Sequence, residues 1–450
     1  MIKRKTKKGG AFISQGTYGC VFGKPPLKCI GEGRRSNRFV SKLTNVETAS
    51  EDSRKIALLR SIDPREESFI IPIDSCKFNV SSAVPTNNLD MCDLLQTPGR
   101  GVADTLLFSK HGGKYLSKIR LPHDEYLPFF ESLLPLLQGL EKLHTSGYSH
   151  CDIKDTNILT EKQRDNTFKT RFIDFDLMSK NTDFKGSKNA NIFKSIYPIW
   201  PIELILASAD SPITDSFLEA HINNWYRKQY YTNVFKSLPG ESYFNYGANK
   251  FNIGSPEIQA LKGFDYSTYS LSKVDVFSFG IFLSRTYTNL IGHTLAIEVD
   301  STNKTKFEEV YTIDRLNDVV LIKSNEKEVL DWHEKITDEI SFPLHRLIKA
   351  MIDINPQTRL NISQVIDGYK RILLRMRTYF IPADLTKYLP PNTMGPSPYG
   401  YESPVPPPQY SPIRARSRSR NRATGTRATG TRATGTRPYT SPINKSRKRR

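Results

Sequence analysis

Leu143-His-Thr-Ser-Gly147-Tyr-Ser-His150-Cys-Asp152-Ile-Lys154-Asp-Thr-Asn157-Ile-Leu159, followed by Phe172-Ile-Asp174-Phe-Asp176-Leu177, is the stretch whose reading decides the fold. A helix ends at a glycine and a polar loop follows. Two apolar strands then flank a charged hairpin, and a second carboxylate comes after them. A carboxylate, a lysine two residues on, an amide three further and an acid after the next strand are the parts that phosphoryl transfer needs. One group orients and deprotonates a hydroxyl, a cation meets the transferred phosphate, and two oxygen ligands hold Mg²⁺. Asp152, Lys154, Asn157 and Asp174 supply them in that order.

Upstream, the chain reads as short β-branched or aromatic runs: Ala11 to Ser14, Cys20 to Phe22, Phe39 to Leu43 and Phe69 to Ile73. One helical stretch interrupts them, where Ile56, Leu59 and Ile62 recur at helical spacing before Asp63-Pro64. Ile13-Ser14-Gln-Gly16-Thr-Tyr-Gly19-Cys-Val21 reads strand, glycine turn, strand. Glycines let such a loop close over phosphates and present its N–H groups, while Ile13 and Val21 can cover an adenine ring. Lys42 stands in an apolar strand 21 residues after Val21, where a lysine can meet phosphate oxygens if a carboxylate holds it. Glu51 is the expected partner, with Glu47 as its rival one turn earlier. Phe130, Leu133, Leu134, Leu137, Leu140 and His144 fall on one face of an expected long helix that contains Pro135.

Together these motifs resemble the eukaryotic-type protein kinases, with HCDIKDTN and DFD in place of the H-R-D-x-K-x-x-N and D-F-G motifs. The resemblance implies a two-lobed α+β fold over residues 11–378. A small antiparallel sheet with one main helix forms an N-lobe to about residue 108, and a mainly helical C-lobe runs from about 109. Asp152 is then the base, Lys42 and Lys154 the catalytic cations, and Asn157 and Asp174 the metal ligands, with ATP and Mg²⁺ as cofactors. Ile13, Ser14, Gly16, Gly19 and Val21 cover the nucleotide, and His150 is structural.

Ser272 to Leu283, SKVDVFSFGIFL, is similar to the family's D-V-W-S-F-G helix and makes Asp275 a buried brace of the catalytic loop. Arg359, in Ile352 to Leu360, should pair with the glutamate of the A-P-E motif. Two candidates stand for that glutamate: Glu203 in Trp-Pro-Ile-Glu and Glu257 in Gly-Ser-Pro-Glu. Either choice leaves an insertion between residues 177 and 270. Lys154 favours serine or threonine as acceptor. Tyr197 to Glu203 and the Ile62-Asp-Pro64 helix end look similar to kinases of large cytoplasmic DNA viruses, which implies host cytoplasm or virion. Three departures from the pattern are plain: Ser14 replaces the first loop glycine, Cys151 the Arg of H-R-D, and Asp176 the Gly of D-F-G. They motivate an inactive kinase-fold scaffold as the alternative.

Of 450 residues, 38% are hydrophobic and 25% charged, which fits a globular body and excludes a fibrous or wholly disordered chain. The formal charge of +19 sits at the ends: five Lys/Arg in residues 1–10, and thirteen from Tyr410 to Arg450, where there is no Asp or Glu. Residues 379–450, rich in Pro, Ser and Arg and carrying three Ala-Thr-Gly-Thr-Arg repeats, are expected to be disordered. They offer Ser-Pro acceptors, non-specific contact with nucleic acid or acidic protein, and a nuclear-import-like cluster at Lys445 to Arg450. A nucleic-acid-binding protein led by this tail is the other alternative. Five cysteines show no C-x-x-C pair, so neither a zinc site nor a disulfide framework is expected, and a reduced intracellular setting fits. Neither a signal-peptide pattern nor a membrane span is expected.

Overall fold

The computed structural model describes residues 11–380 apart from 17–18, 32–34, 80–88, 97–102, 116–118, 120, 122–124, 184–196, 198, 210–212, 223–255 and 296–336. The expected basic arm at 1–10, the aromatic-rich parts of the insertion and the tail from 381 onward lie outside the described residues.

Five strands form an antiparallel sheet in the order β1-β2-β3-β5-β4: β1 (Ala11–Gly16), β2 (Gly19–Gly23), β3 (Phe39–Thr44), β4 (Asp74–Lys77) and β5 (Thr105–Lys110). Alternation in β3 buries Ser41 and Leu43 on one side and leaves Lys42 half-buried on the other. Lys42 lies opposite Val21 in β2 and Leu107 in β5. Helix α1 (Val46–Ile62) starts where Asn45 accepts the Thr48 N–H at 2.8 Å and ends at Asp63. Asp63 then accepts the N–H groups of Glu67, Ser68 and Phe69, which turns the chain back under the sheet.

Phe69 to Ile73, expected as a strand, is not one. Phe69 makes a single parallel bridge to Phe172, and Ile70 N–H donates to the Phe172 carbonyl at 2.9 Å. Pro72 has no N–H for a ladder, so the paired strand begins after it, at Asp74. The expectation of unpaired cysteines is also overturned. Cys20 in β2 is bonded to Cys92, just before the short helix α2 (Asp93–Gln96), and Cys29 to Cys76 in β4. Both pairs lie in a small apolar core with Phe22, Leu27, Leu43, Phe78, Leu106 and Phe108. The sheet brings together residues 72 and 47 positions apart, a closeness that sequence spacing does not reveal. Cross-linking loops of this length restricts the unfolded chain. Replacing Cys20 and Cys92 together by Ser is therefore expected to cost about 2–4 kcal/mol, read as a lower denaturant midpoint.

The expected long helix is two. α3 (Tyr126–Glu131) stops at Ser132, and α4 (Leu134–Thr145) begins afresh with Pro135 in its first turn. Proline lacks the N–H and its ring collides with the preceding turn, so it starts a helix readily and does not continue one. Leu136, Leu137, Leu140 and Leu143 of α4 are buried. β6 (Lys114–Tyr115), β8 (Ile158–Lys162) and β9 (Phe168–Phe172) form a second sheet in the order β6-β8-β9, the hairpin expected around the charged turn. β7 (Tyr148–Ser149) pairs with β10 (Ser179–Lys180).

Further helices among the described residues include α5 (Ile202–Ala207), α6 (Pro256–Lys262), α7 (Ser272–Leu295), α8 (Phe342–Met351) and α9 (Ile362–Phe380). A large core joins α1, α3, α4 and α5 to α7, α8 and α9. Close approach fixes some positions: a Cβ on Gly280 of α7 would lie 2.7 Å from Ile352 Cγ2 and 2.9 Å from Met351 Cβ. The chain is thus a mixed α+β fold with a small antiparallel sheet and a mainly helical remainder. Among the described residues no helix is long and apolar enough to cross a membrane.

Candidate functional site

The loop from His150 to Asn157 is built by its own short-range geometry. Asn157 Nδ2 donates to the Asp152 carbonyl at 2.9 Å and to Asp152 Oδ2 at 2.7 Å. Lys154 Nζ donates to both carboxylate oxygens of Asp152, at 3.0 and 2.8 Å, and also to the Tyr197 hydroxyl at 2.9 Å. Three of the four residues read from the loop pattern therefore converge on one carboxylate. Burial alone would lower the Lys154 ammonium, but the Asp152 charge more than reverses this and leaves it raised. Lys154 stays a cation throughout the neutral range.

A buried carboxylate braces this loop from behind. Asp275, in the first turn of α7, accepts the His150 N–H at 2.7 Å and the Cys151 N–H at 2.8 Å, and sits 3.0 Å from His144 Nε2. Such charge-assisted bonds hold Cys151 at φ +62, a left-handed angle that a non-glycine residue keeps only when its surroundings impose it. The Cys151 carbonyl accepts the Trp200 indole N–H at 2.8 Å, so the residue that stands where the resemblance has an arginine is buried and used through its backbone. His150 is fully buried. Its Nδ1 accepts the Asp152 N–H at 3.3 Å, and its ring lies 5.2 Å from Phe172 and 5.3 Å from Phe175. Burial lowers its pKa despite the charges of Asp275 and Asp152.

Asp174 follows β9 and carries φ +64. Burial, then the charge of Asp176, pushes its carboxyl up to about 7, with Lys42 acting in the opposite sense. Lys42 Nζ donates to Asp176 Oδ1 at 2.8 Å and lies 3.9 Å from Asp52 Oδ2. Burial would lower Lys42, and the charges of Asp176, Asp174 and Asp52 outweigh it and raise it.

Glu51 is therefore not the carboxylate of α1 that faces Lys42. The neighbouring Asp52 is. One residue along a helix turns the side chain by about 100°, and that decides the matter. The signal was in the sequence, because Asp52 lies four residues before Ile56 and seven before Leu59, on the stripe that faces inward. Glu51 is exposed, one position off that stripe. The same stripe holds a residue that motif reading passed over. Lys55 Nζ donates to the Phe175 carbonyl at 2.8 Å and the Asp176 carbonyl at 2.7 Å.

On the strands above, Gly19 is required by close approach, since a Cβ there would lie 2.7 Å from the Leu43 carbonyl oxygen. Gly16 has open space around it. The Tyr115 hydroxyl reaches Ser14 Oγ at 3.2 Å, so the serine in the first loop-glycine position ties β1 to β6. Gln15 bonds Asp93 of α2 beside the Cys20–Cys92 bridge. Ile13 is exposed and Val21 half-buried, both available to an apolar ligand face.

Arg359 resolves the choice of glutamate. Its guanidinium pairs with Glu203 of α5 with both side chains fully buried, and it also donates to the carbonyls of Asp353 and Lys273. Tyr269 adds a hydroxyl to Glu203 at 3.2 Å. Glu257 lies in α6, and its side chain lies outside the described residues.

No protein-family model and no curated protein matches this chain. The kinase resemblance therefore rests on the motifs themselves. Among the described residues no group of three or more His, Cys, Asp or Glu could hold a metal by itself. Asp174 and Asn157 are hard oxygen donors, and two protein ligands suit a Mg²⁺ that takes its remaining oxygens from phosphate and water.

Proposed function

We propose that the chain is a two-lobed protein kinase that transfers the ATP γ-phosphate to serine or threonine hydroxyls of proteins, with Mg²⁺. The observation that carries this reading is the Asp152 carboxylate, held by Lys154 and Asn157 in one loop, with Lys42 and Asp174 gathered around Asp176 nearby. The N-lobe is the five-stranded sheet with α1, and the C-lobe is the helical remainder. No phosphate contact through an arginine before Asp152 is available, since Cys151 fills that place, so activity does not depend on activation-loop phosphorylation by that route.

In this mechanism Gly16, Gly19 and Ser14 cover the phosphates, Ile13 and Val21 the adenine, and Lys42 orients phosphate oxygens. Asn157 and Asp174 would hold the metal ion, which would supply charge neutralisation at the phosphates when bound. Asp152 accepts the hydroxyl hydrogen bond and then its proton. Lys154 stabilises charge on the transferred group. Little covalent work falls to the protein, so catalysis is positioning and electrostatics.

The test is incorporation of label from γ-labelled ATP into a panel of basic and acidic proteins by the full chain. Mg²⁺-dependent label on serine or threonine is expected. Equal label from wild type and Asp152→Asn sinks the reading. A chain that binds nucleotide with no Mg²⁺-dependent turnover would instead be the kinase-fold scaffold.

The raised Asp174 gives a pH prediction. Its folded pKa of about 7 lies above the ordinary carboxyl value, so the metal-free fold is more stable while Asp174 holds its proton, and that stability is lost as pH rises through 7. A divalent cation favours the ionised form. The gain in unfolding midpoint on adding Mg²⁺ should be larger at pH 8 than at pH 5.5, measured by thermal unfolding in EDTA and in saturating Mg²⁺. An equal gain at both values contradicts the assignment.

A further inference from the structure

Glu51 of α1 is the expected partner of Lys42, yet the α1 carboxylate beside Lys42 is Asp52, at 3.9 Å, while Asp176, two residues after Asp174, is at 2.8 Å. The helix sends a cation instead. Lys55, three residues after Asp52 on the inward stripe, caps the carbonyls of Phe175 and Asp176 at 2.8 and 2.7 Å. Resting on the kinase reading above, we propose that Lys55 and Asp176 are positioning residues. Together they form a strand–turn–helix bridge, Lys42 to Asp176 to Lys55, that sets Asp174 for metal binding and supplements the longer pair between Lys42 and Asp52 of α1.

Three observations carry this. The two carbonyls that Lys55 holds belong to the first and second residues after Asp174, so fixing them fixes the peptide planes that aim the Asp174 carboxyl. Asp174 itself sits at φ +64, an angle that a non-glycine residue keeps only where its neighbours impose it. Finally, α1 is a firm base for the clamp. It is capped by Asn45, and Leu59, one turn after Lys55, is fully buried. Asp176 is needed in the same scheme because its carboxylate draws Lys42 onto the turn while its carbonyl takes Lys55. A glycine there could make only the second contact. This gives the unusual residue of DFD a role, because it supplies an anion nearer to Lys42 than the one α1 brings.

The bridge is tested by binding of a fluorescent ADP to the full chain, in EDTA and over a Mg²⁺ titration. Variants are Lys55→Met, Lys55→Arg, Asp176→Asn and Asp52→Asn. Lys55→Met and Asp176→Asn are each expected to raise the Mg²⁺ concentration for half-maximal tight binding about tenfold, the loss of charge-assisted bonds at one site. The affinity of Lys55→Met in EDTA should stay within about twofold of wild type. Lys55→Arg, which keeps a donor able to reach two carbonyls, should recover part of the loss, a result that general damage to the fold would not give. Asp52→Asn should change the Mg²⁺ requirement less than Asp176→Asn.

An unchanged Mg²⁺ requirement in Lys55→Met, or a larger effect of Asp52→Asn than of Asp176→Asn, overturns the bridge while leaving the kinase reading standing. If Lys55→Met does not fold, the comparison of Asp176→Asn with Asp52→Asn decides. A wild-type chain that binds no nucleotide in either condition overturns the kinase reading and the bridge with it.

Discussion

Asp152→Asn is expected to lower phosphate transfer to a protein acceptor by about 10²–10⁴-fold, with little change in the KM for ATP. The substitution keeps the shape of the side chain and removes its charge. Lys154 and Asn157 both donate to Oδ2 of Asp152, and an amide nitrogen at that place can accept from neither. The loop thus loses the proton acceptor and also the anion around which its two donors are arranged. Among the described residues no hydrogen bond or ion pair joins Lys42, Gly16 or Gly19 to Asp152, so nucleotide affinity should persist. Single-turnover measurement with γ-labelled ATP separates the two quantities. A fall of less than tenfold in the transfer step removes Asp152 from the role of base. A parallel loss of ATP affinity makes it a structural residue of the loop.

The Asp152 constellation was readable because its members are local. Lys154 and Asn157 stand two and five residues after Asp152, and the turn of a single loop brings them to its carboxylate. Asp174 was readable because the apolar strand before it places it at a strand end. Glu51 failed for the opposite reason, since the choice between adjacent residues on a helix depends on rotation, and that is set by the Asn45 cap and the inward stripe through Ile56 and Leu59. Lys55 was hidden because its partners are backbone carbonyls 120 and 121 residues away, and no residue type advertises these. The cysteine pairs were hidden in the same way, by strand pairing across the small core. Pro135 was a local signal that the helical periodicity of leucines overrode in reading and did not override in the fold. The failures are thus those of rotation and of long-range backbone contact, and the successes those of short loops.

The largest effect on stability is expected at Arg359. Its side chain is fully buried, pairs with the equally buried Glu203, donates to the carbonyls of Asp353 and Lys273, and lies with its guanidinium carbon 5.0 Å from the centre of the Phe277 ring. Arg359→Met keeps much of the volume and removes the charge. Glu203 is then a carboxylate in the core with only the Tyr269 hydroxyl as its hydrogen-bond donor among the contacts described above. Stripping one partner from a buried pair costs about 3–5 kcal/mol, because the remaining charge is neither hydrated nor neutralised. Against a total of about 5–15 kcal/mol for a folded domain, this is about a fifth or more of the reserve. The double variant Arg359→Met with Glu203→Leu should recover most of the loss, since an apolar pair of similar bulk leaves no buried charge. Denaturant unfolding of the full chain measures both. Additive losses in the double variant would mean that the two side chains stabilise the fold independently and that the pair is not the unit. The position matters for function because α5 follows directly on Trp200, which bonds the Cys151 carbonyl, and on Tyr197, which bonds Lys154. Weakening the Glu203 anchor should therefore reduce the folded population first. The fraction that remains folded should keep the KM for ATP of wild type, because the contacts described for Arg359 and Glu203 include none to Lys42, Asn157 or Asp174, the residues proposed to meet nucleotide and metal.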